Sequence, residues 1–170
     1  MLPPGSTIGI LGGGQLGRMM ALAALQLGYK VIGFAPEGDN VAADASSDFI
    51  TADWADAAAL AAFTGRCDVV TWEFENVPLS TVAVIPPALL ACPARALEVA
   101  QDRLSEKAFI ADLGGTSAPY ARVENGDDFA RALQPHCFQH VTGPQRARGT
   151  GASGRYRNAL PVKADQLGIG

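Results

Sequence analysis

The chain has 170 residues, 48% of them hydrophobic, with a formal net charge of −4, enough material for one real core and the start of a second. No apolar run approaches the roughly 18 to 20 residues that span a bilayer, because Arg18 and Lys30 bracket the longest candidate, and the start Met-Leu-Pro-Pro-Gly-Ser has no basic segment before an apolar one. The expectation is a cytoplasmic protein without membrane partners. Cys67, Cys92 and Cys137 are odd in number and lack C-x-x-C spacing, which predicts reduced thiols rather than a disulfide frame or a zinc site.

Charge is uneven along the chain. Residues 1–133 carry 8 Lys and Arg against 16 Asp and Glu, a net −8, whereas residues 134–170 carry 5 against 1, a net +4. The shift predicts a change of character near Gln134.

From Thr7 to Leu27 an aliphatic run breaks into glycines and restarts as an alanine-rich and leucine-rich helix former, the pattern of a strand, a tight turn and a helix. Gly12, Gly14 and Gly17 stand at G-x-G-x-x-G spacing. There a missing Cβ permits a sharp turn, a close ligand, or helix-on-strand packing. Backbone N–H groups and the positive end of the helix make such a turn an anion site, most often for phosphate. Gly28 supplies the helix stop, and 30–34 reads as a second buried strand.

A nicotinamide-binding unit carries an acid at the end of that second strand to hold a ribose. Here the stretch is Phe34-Ala35-Pro36, with Glu37 displaced beyond the proline. An NAD(P)-binding oxidoreductase module is therefore the weaker alternative, with Glu37 its one candidate ribose partner and no visible catalytic set.

A short strand is expected over 48–52, a helix over 56–63 with an Asp cap, and a strand over 67–72 that runs directly into Glu73-Phe74-Glu75-Asn76. In parallel sheets ligands bind at the C-terminal strand edge, so Glu73 shares the rim of the glycine turn. Alternation puts Glu73 and Glu75 on one side and Phe74 on the other. A further short strand is expected within 84–93 and a helix over 95–100. Residues 101–110 then read as an amphipathic helix with Leu104, Ala108 and Ala111 inward and Arg103, Glu106 and Lys107 outward. The alternation of strands and helices predicts an α/β fold, a Rossmann-like doubly wound parallel sheet over 1–115. A connector and short helix follow over 116–133, capped by Asp127 or Asp128, and an irregular tail over 134–170.

In that tail, 143–157 has no periodicity and too little apolar content to bury, which predicts disorder. Arg146, Arg148, Arg155 and Arg157 with Tyr156 form a thin nucleic-acid signal, outweighed by a solvated tail. His136, Cys137 and His140 share a helical face, but no fourth ligand stands nearby and Pro135 adjoins them, so no metal site is assigned.

Four signatures occur in order: Gly-Gly-Gly-Gln-Leu-Gly-Arg-Met-Met over 12–20, Thr-Trp-Glu-Phe-Glu-Asn-Val over 71–77, Pro93, and Ala-Gln-Asp-Arg-Leu-Ser-Glu-Lys over 100–107. In combination they resemble the N-terminal part of the 5-(carboxyamino)imidazole ribonucleotide synthases, ATP-grasp ligases of purine biosynthesis. The resemblance covers 6–123. It implies a pre-ATP-grasp domain of an enzyme that uses ATP, magnesium and bicarbonate to carboxylate 5-aminoimidazole ribonucleotide through carboxyphosphate, commonly as a homodimer. It further implies that Gln15 and Leu16 contact the substrate phosphate, Glu73 the ribose hydroxyls and Arg103 the ATP phosphates, with Glu75 and Asn76 shaping their loop. An acceptor-only carboxylate suits a diol, and a guanidinium fork suits phosphate oxygens. The family's later ATP-binding lysine, Gly-Tyr-Asp-Gly-Lys-Gly-Gln loop and magnesium-binding acids have no match here. No catalytic residue is assigned, and the expectation is an incomplete ligase, inactive alone, with a truncation or reading-frame change after about Leu133.

Overall fold

Strand β1 (Thr7–Leu11) forms where β-branched and aliphatic residues precede the glycines, and helix α1 (Gln15–Gln26) begins directly after them. The computed structural model describes residues 2–118, 120–132 and 140–142. By its internal contacts the chain divides into two units, Met1–Gln101 and Asp102–Gly170.

In the first unit α1 ends at Leu27, with Gly28 in the left-handed region at φ 82°. Strand β2 (Lys30–Ala35), strand β3 (Asp48–Thr51), helix α2 (Ala57–Thr64) and strand β4 (Val69–Trp72) follow. Asp56 caps α2, its carboxylate accepting the Ala59 N–H at 2.9 Å. All pairings in the four-stranded sheet are parallel, in the order β3-β2-β1-β4, with Leu11 opposite both Phe34 and Trp72. The α/β parallel sheet is thus the one the alternation predicts.

Both faces of this sheet are covered, as a parallel sheet requires. Strand alternation sends Leu11, Ile32, Phe34 and Val70 into one cluster with Leu60 and Phe63 of α2. Ile10 and Val31 go into another with Ala21 and Ala24 of α1. Rings pack tightly in the first cluster: the Phe34 and Phe63 centroids are 5.4 Å apart at 51°, and Phe34 and Trp54 are 5.8 Å apart at 40°.

Residues 84–93 do not form the expected strand. After helix α3 (Leu79–Ala83) the segment holds a 3-10 turn, Pro87–Leu89, and one isolated parallel bridge joins Leu90 to Val70. Pro86 and Pro87 have no N–H to donate to a ladder, so pairing starts only after them. Helix α4 (Ala94–Gln101) closes the unit.

The second unit opens with α5 (Arg103–Asp112), whose N-cap Asp102 accepts the Ser105 N–H at 2.7 Å. That N–H and the Ser105 hydroxyl hold the Asp102 carboxyl below its ordinary range. The expected orientation of α5 holds only in part: Arg103 is exposed and Leu104 half-buried, but Ala108 and Ala111 are exposed. Lys107 is buried, 6% exposed, with its ammonium 4.8 Å from the Tyr120 ring centroid, whereas Phe109, Ile110 and Leu113 are exposed. A lysine stem and a ring-facing cation can replace an aliphatic side chain in an interior position.

Strand β5 (Tyr120–Arg122) pairs in parallel with β6 (His140–Thr142), and α6 (Gly126–Ala132) lies between them in sequence. Asn125, not Asp127 or Asp128, caps α6, accepting the Asp128 N–H at 2.9 Å. The two aspartates instead sit in its first turn, where their charge favours the helix N-terminus. His136, Cys137 and the arginine-rich segment over 143–157 lie outside the described residues.

Cys67 is half-buried against the sheet and its thiol donates to the Phe63 carbonyl at 3.1 Å. Burial pushes this thiol up to about 11, the nearby Arg66 only partly opposing it. At pH 8 the folded chain should therefore alkylate at Cys67 at least tenfold more slowly than the urea-unfolded chain, since the thiolate is the nucleophile. Peptide mapping after iodoacetamide treatment reads this; equal rates would contradict the assigned environment.

Candidate functional site

The glycine turn leaves β1 at the C-terminal edge of the sheet, and four of the six backbone N–H groups over 12–17 have an acceptor among the described residues. Gly12 adopts φ 112°, and its N–H donates to the Phe34 carbonyl at 2.8 Å. The Gly13 N–H donates to Asp39 Oδ2 at 3.1 Å, while the Gly13 carbonyl accepts from Ala42 at 2.7 Å. The Gly14 N–H donates to Glu73 Oε1 at 2.7 Å, and the Gly17 N–H to Glu73 Oε2.

Glu73 arrives from β4. Its own N–H donates to the Leu11 carbonyl at 3.1 Å, extending the β1–β4 pairing one residue past Trp72. The parallel register thus delivers a carboxylate to the head of α1, a helix with no acid of its own in the first turn and no side-chain cap from Gly14. Glu73 performs that capping from 56 residues away, at the N-cap and third helical N–H groups.

The three glycines of the motif surround this carboxylate. A Cβ at Gly12 would stand 2.5 Å from Glu73 Cγ, one at Gly14 3.0 Å from Oε1, and one at Gly17 2.9 Å from Oε2. Two donors are left over. The N–H groups of Gln15 and Leu16, the first two residues of α1, find no acceptor among the described residues. They are the two positions that the family resemblance assigns to the substrate phosphate.

Gln101 steadies the loop that carries Glu73, its Nε2 donating to the carbonyls of Glu75 at 2.8 Å and Val77 at 2.7 Å. Sequence reasoning assigned Gln101 no role, because an amide reaching backbone 26 residues away leaves no periodic trace. It also missed Asp39. Glu37 is exposed on the turn after β2, and Asp39 is the acid from that turn that meets the glycine loop. Both stand beyond Pro36, and nothing in spacing separates them.

Arg103, the first residue of α5, is described within the second unit. Its guanidinium pairs with Glu106, and its side chain is 58% exposed. A cavity of about 390 Å³ in that unit is lined by Asp102, Leu104, Ser105, Ala108, Arg122 and Glu124. Among the described residues no group of three or more His, Cys, Asp or Glu converges as a metal site needs, and no helix is long and apolar enough to cross a membrane.

The sequence is 44% identical over 133 residues to the N5-carboxyaminoimidazole ribonucleotide synthase of Brucella melitensis, covering 78% of this chain and 37% of that protein. It is 43% identical over 135 residues to the bifunctional purine synthesis protein purC/E of Dictyostelium discoideum, covering 79% of this chain and 14% of that protein. Among solved structures, N5-carboxyaminoimidazole synthetase from Staphylococcus aureus complexed with ADP superposes with a TM-score of 0.70 at 36% identity, covering 78% of this chain and 36% of that one. The N5-carboxyaminoimidazole ribonucleotide synthetase from Thermus thermophilus gives 0.67 at 41% identity, covering 75% and 35%. The chain thus spans little more than a third of the length of the synthases it matches. Residues 5–101, the sheet, the glycine turn and the Glu73 loop together, match the ribonucleotide synthetase preATP-grasp domain, and the chain belongs to that family.

Proposed function

We propose that this chain is the ribonucleotide-holding part of an ATP-dependent ligase that carboxylates 5-aminoimidazole ribonucleotide with bicarbonate. The observation that carries the reading is the pair of N–H groups at Gln15 and Leu16 that find no acceptor among the described residues, at the positive head of α1 on the C-terminal rim of the sheet. Two adjacent donors at a helix N-terminus suit one phosphate monoester. Glu73 keeps acceptor capacity beyond its two loop bonds, since an ionised carboxylate offers about four lone-pair sites, so one ribose hydroxyl can donate to it from the solvent side.

Arg103 is the residue we assign to the ATP phosphates, in line with the ADP complex of the Staphylococcus aureus relative. It would have to exchange its exposed pair with Glu106, a small cost for a surface ion pair. The described residues offer no converging set of metal ligands.

Titration of the isotopically labelled chain with 5-aminoimidazole ribonucleotide, followed by amide NMR, tests the reading. Saturable shifts should concentrate at Gln15 and Leu16. No movement of these two amides at millimolar ribonucleotide would overturn it.

A further inference from the structure

We propose that the Glu73 carboxylate is a resident anion of the glycine loop, filling the place where a G-x-G-x-x-G turn would otherwise take a dinucleotide pyrophosphate and so limiting the loop to a single phosphate. This deepens the ribonucleotide reading, but only the single-phosphate half of it rests on that reading. Three observations converge on it.

The first is hydrogen bonding. Both carboxylate oxygens accept loop N–H groups, Gly14 at Oε1 and Gly17 at Oε2, so two of the donors a pyrophosphate would use are taken. Gly12 and Gly13 are committed as well, to the Phe34 carbonyl and to Asp39. The second is steric. At Gly12, Gly14 and Gly17 the nearest atom to an added Cβ belongs to Glu73 in every case, so the missing side chains make room for an internal group. The usual reading of the motif gives one glycine's space to the approach of a ligand pyrophosphate.

The third is charge. A pyrophosphate laid over this turn would put its second phosphate against an anion, and like charges a few ångströms apart repel strongly where water is partly excluded. A lone phosphate at Gln15 and Leu16 also feels Glu73, but it meets the helix dipole and two N–H groups without an acceptor among the described residues, and displaces nothing. Glu73 therefore acts as a specificity determinant: removing its carboxylate should convert a monophosphate loop into one that also accepts pyrophosphate.

The test uses inorganic pyrophosphate and NADH as two-phosphate probes and ribose 5-phosphate as the one-phosphate probe, against the parent chain and Glu73→Ala. In the parent, ribose 5-phosphate should move the amides of Gln15 and Leu16 and leave those of Gly14 and Gly17 unmoved. In Glu73→Ala, pyrophosphate affinity should rise at least tenfold, with new shifts at Gly14 and Gly17. A folded Glu73→Ala chain with unchanged pyrophosphate and NADH affinity would overturn the proposal. Should that variant not fold, the parent decides alone, since movement of Gly14 and Gly17 with added phosphate would mean Glu73 is readily displaced and is no resident anion. Failure of ribose 5-phosphate to bind, with pyrophosphate binding gained in Glu73→Ala, would instead reject the ribonucleotide reading and leave the resident anion standing.

Discussion

Gly12→Ala should distort the turn that presents the Gln15 and Leu16 N–H groups, weakening phosphate binding, and destabilise the chain by about 3 kcal/mol or more, the sum of a strained backbone position and a steric overlap. Gly12 holds φ 112°, a region that residues with a Cβ rarely adopt, and the added carbon would lie 2.5 Å from Glu73 Cγ. Relief by moving Glu73 would release the N–H groups of Gly14 and Gly17 and uncap α1. Gly14→Ala should be milder, because Gly14 sits at φ −81° and its Cβ would meet Oε1 at 3.0 Å, within reach of a small adjustment. Urea denaturation reads both losses, and the amides of Gln15 and Leu16 read the binding. Combining Gly12→Ala with Glu73→Ala removes the overlap but keeps the backbone strain, so the double variant should lose less than the two single losses together. Strict additivity would show that Gly12 is required for its backbone angle alone.

The strand, glycine turn and helix over Thr7–Gln26 were readable because each step has a local cause: β-branched residues, then missing Cβ atoms, then helix formers. The Asp56 cap on α2 is equally local. Features that depend on the approach of distant segments were not readable in detail. Sequence placed Glu73 on the rim of the glycine turn, but an acid at a strand end reads alike whether its partner is a ribose or the protein's own N–H groups. Only the β1–β4 register, setting Leu11 beside Trp72, decides that the carboxylate reaches Gly14 and Gly17. Lys107 shows the same limit from the other side. Polarity alone turns it outward, while the Tyr120 ring makes an interior place for it. The misread strand over 84–93 has a narrower cause, as its apolar run fits a ladder and the paired prolines deny it the donors.

Phe63→Ala should cost about 3 to 5 kcal/mol, the usual range for truncating a buried aromatic, and so consume about a fifth or more of the roughly 5 to 15 kcal/mol that stabilises a typical domain. Phe63 is fully buried and stacks obliquely on Phe34 of β2, while its ring edge lies directly over β1 at Gly9. A Cβ at Gly9 would stand 2.6 Å from Phe63 Cζ and 2.7 Å from Cys67 Sγ, so the ring fits only because Gly9 has no side chain. This makes the two positions interdependent. Gly9→Ala in the parent overfills the site and should destabilise by about 1 to 3 kcal/mol. In the Phe63→Ala background the overlap with the ring is gone and only that with Cys67 Sγ remains, so the cost should fall. Urea midpoints at constant slope measure the coupling; an unchanged penalty for Gly9→Ala would mean that the ring and β1 are not in contact. β1 ends two residues beyond Gly9 and hands the chain directly to Gly12, so the packing of this one ring under β1 supports the platform from which the anion loop departs.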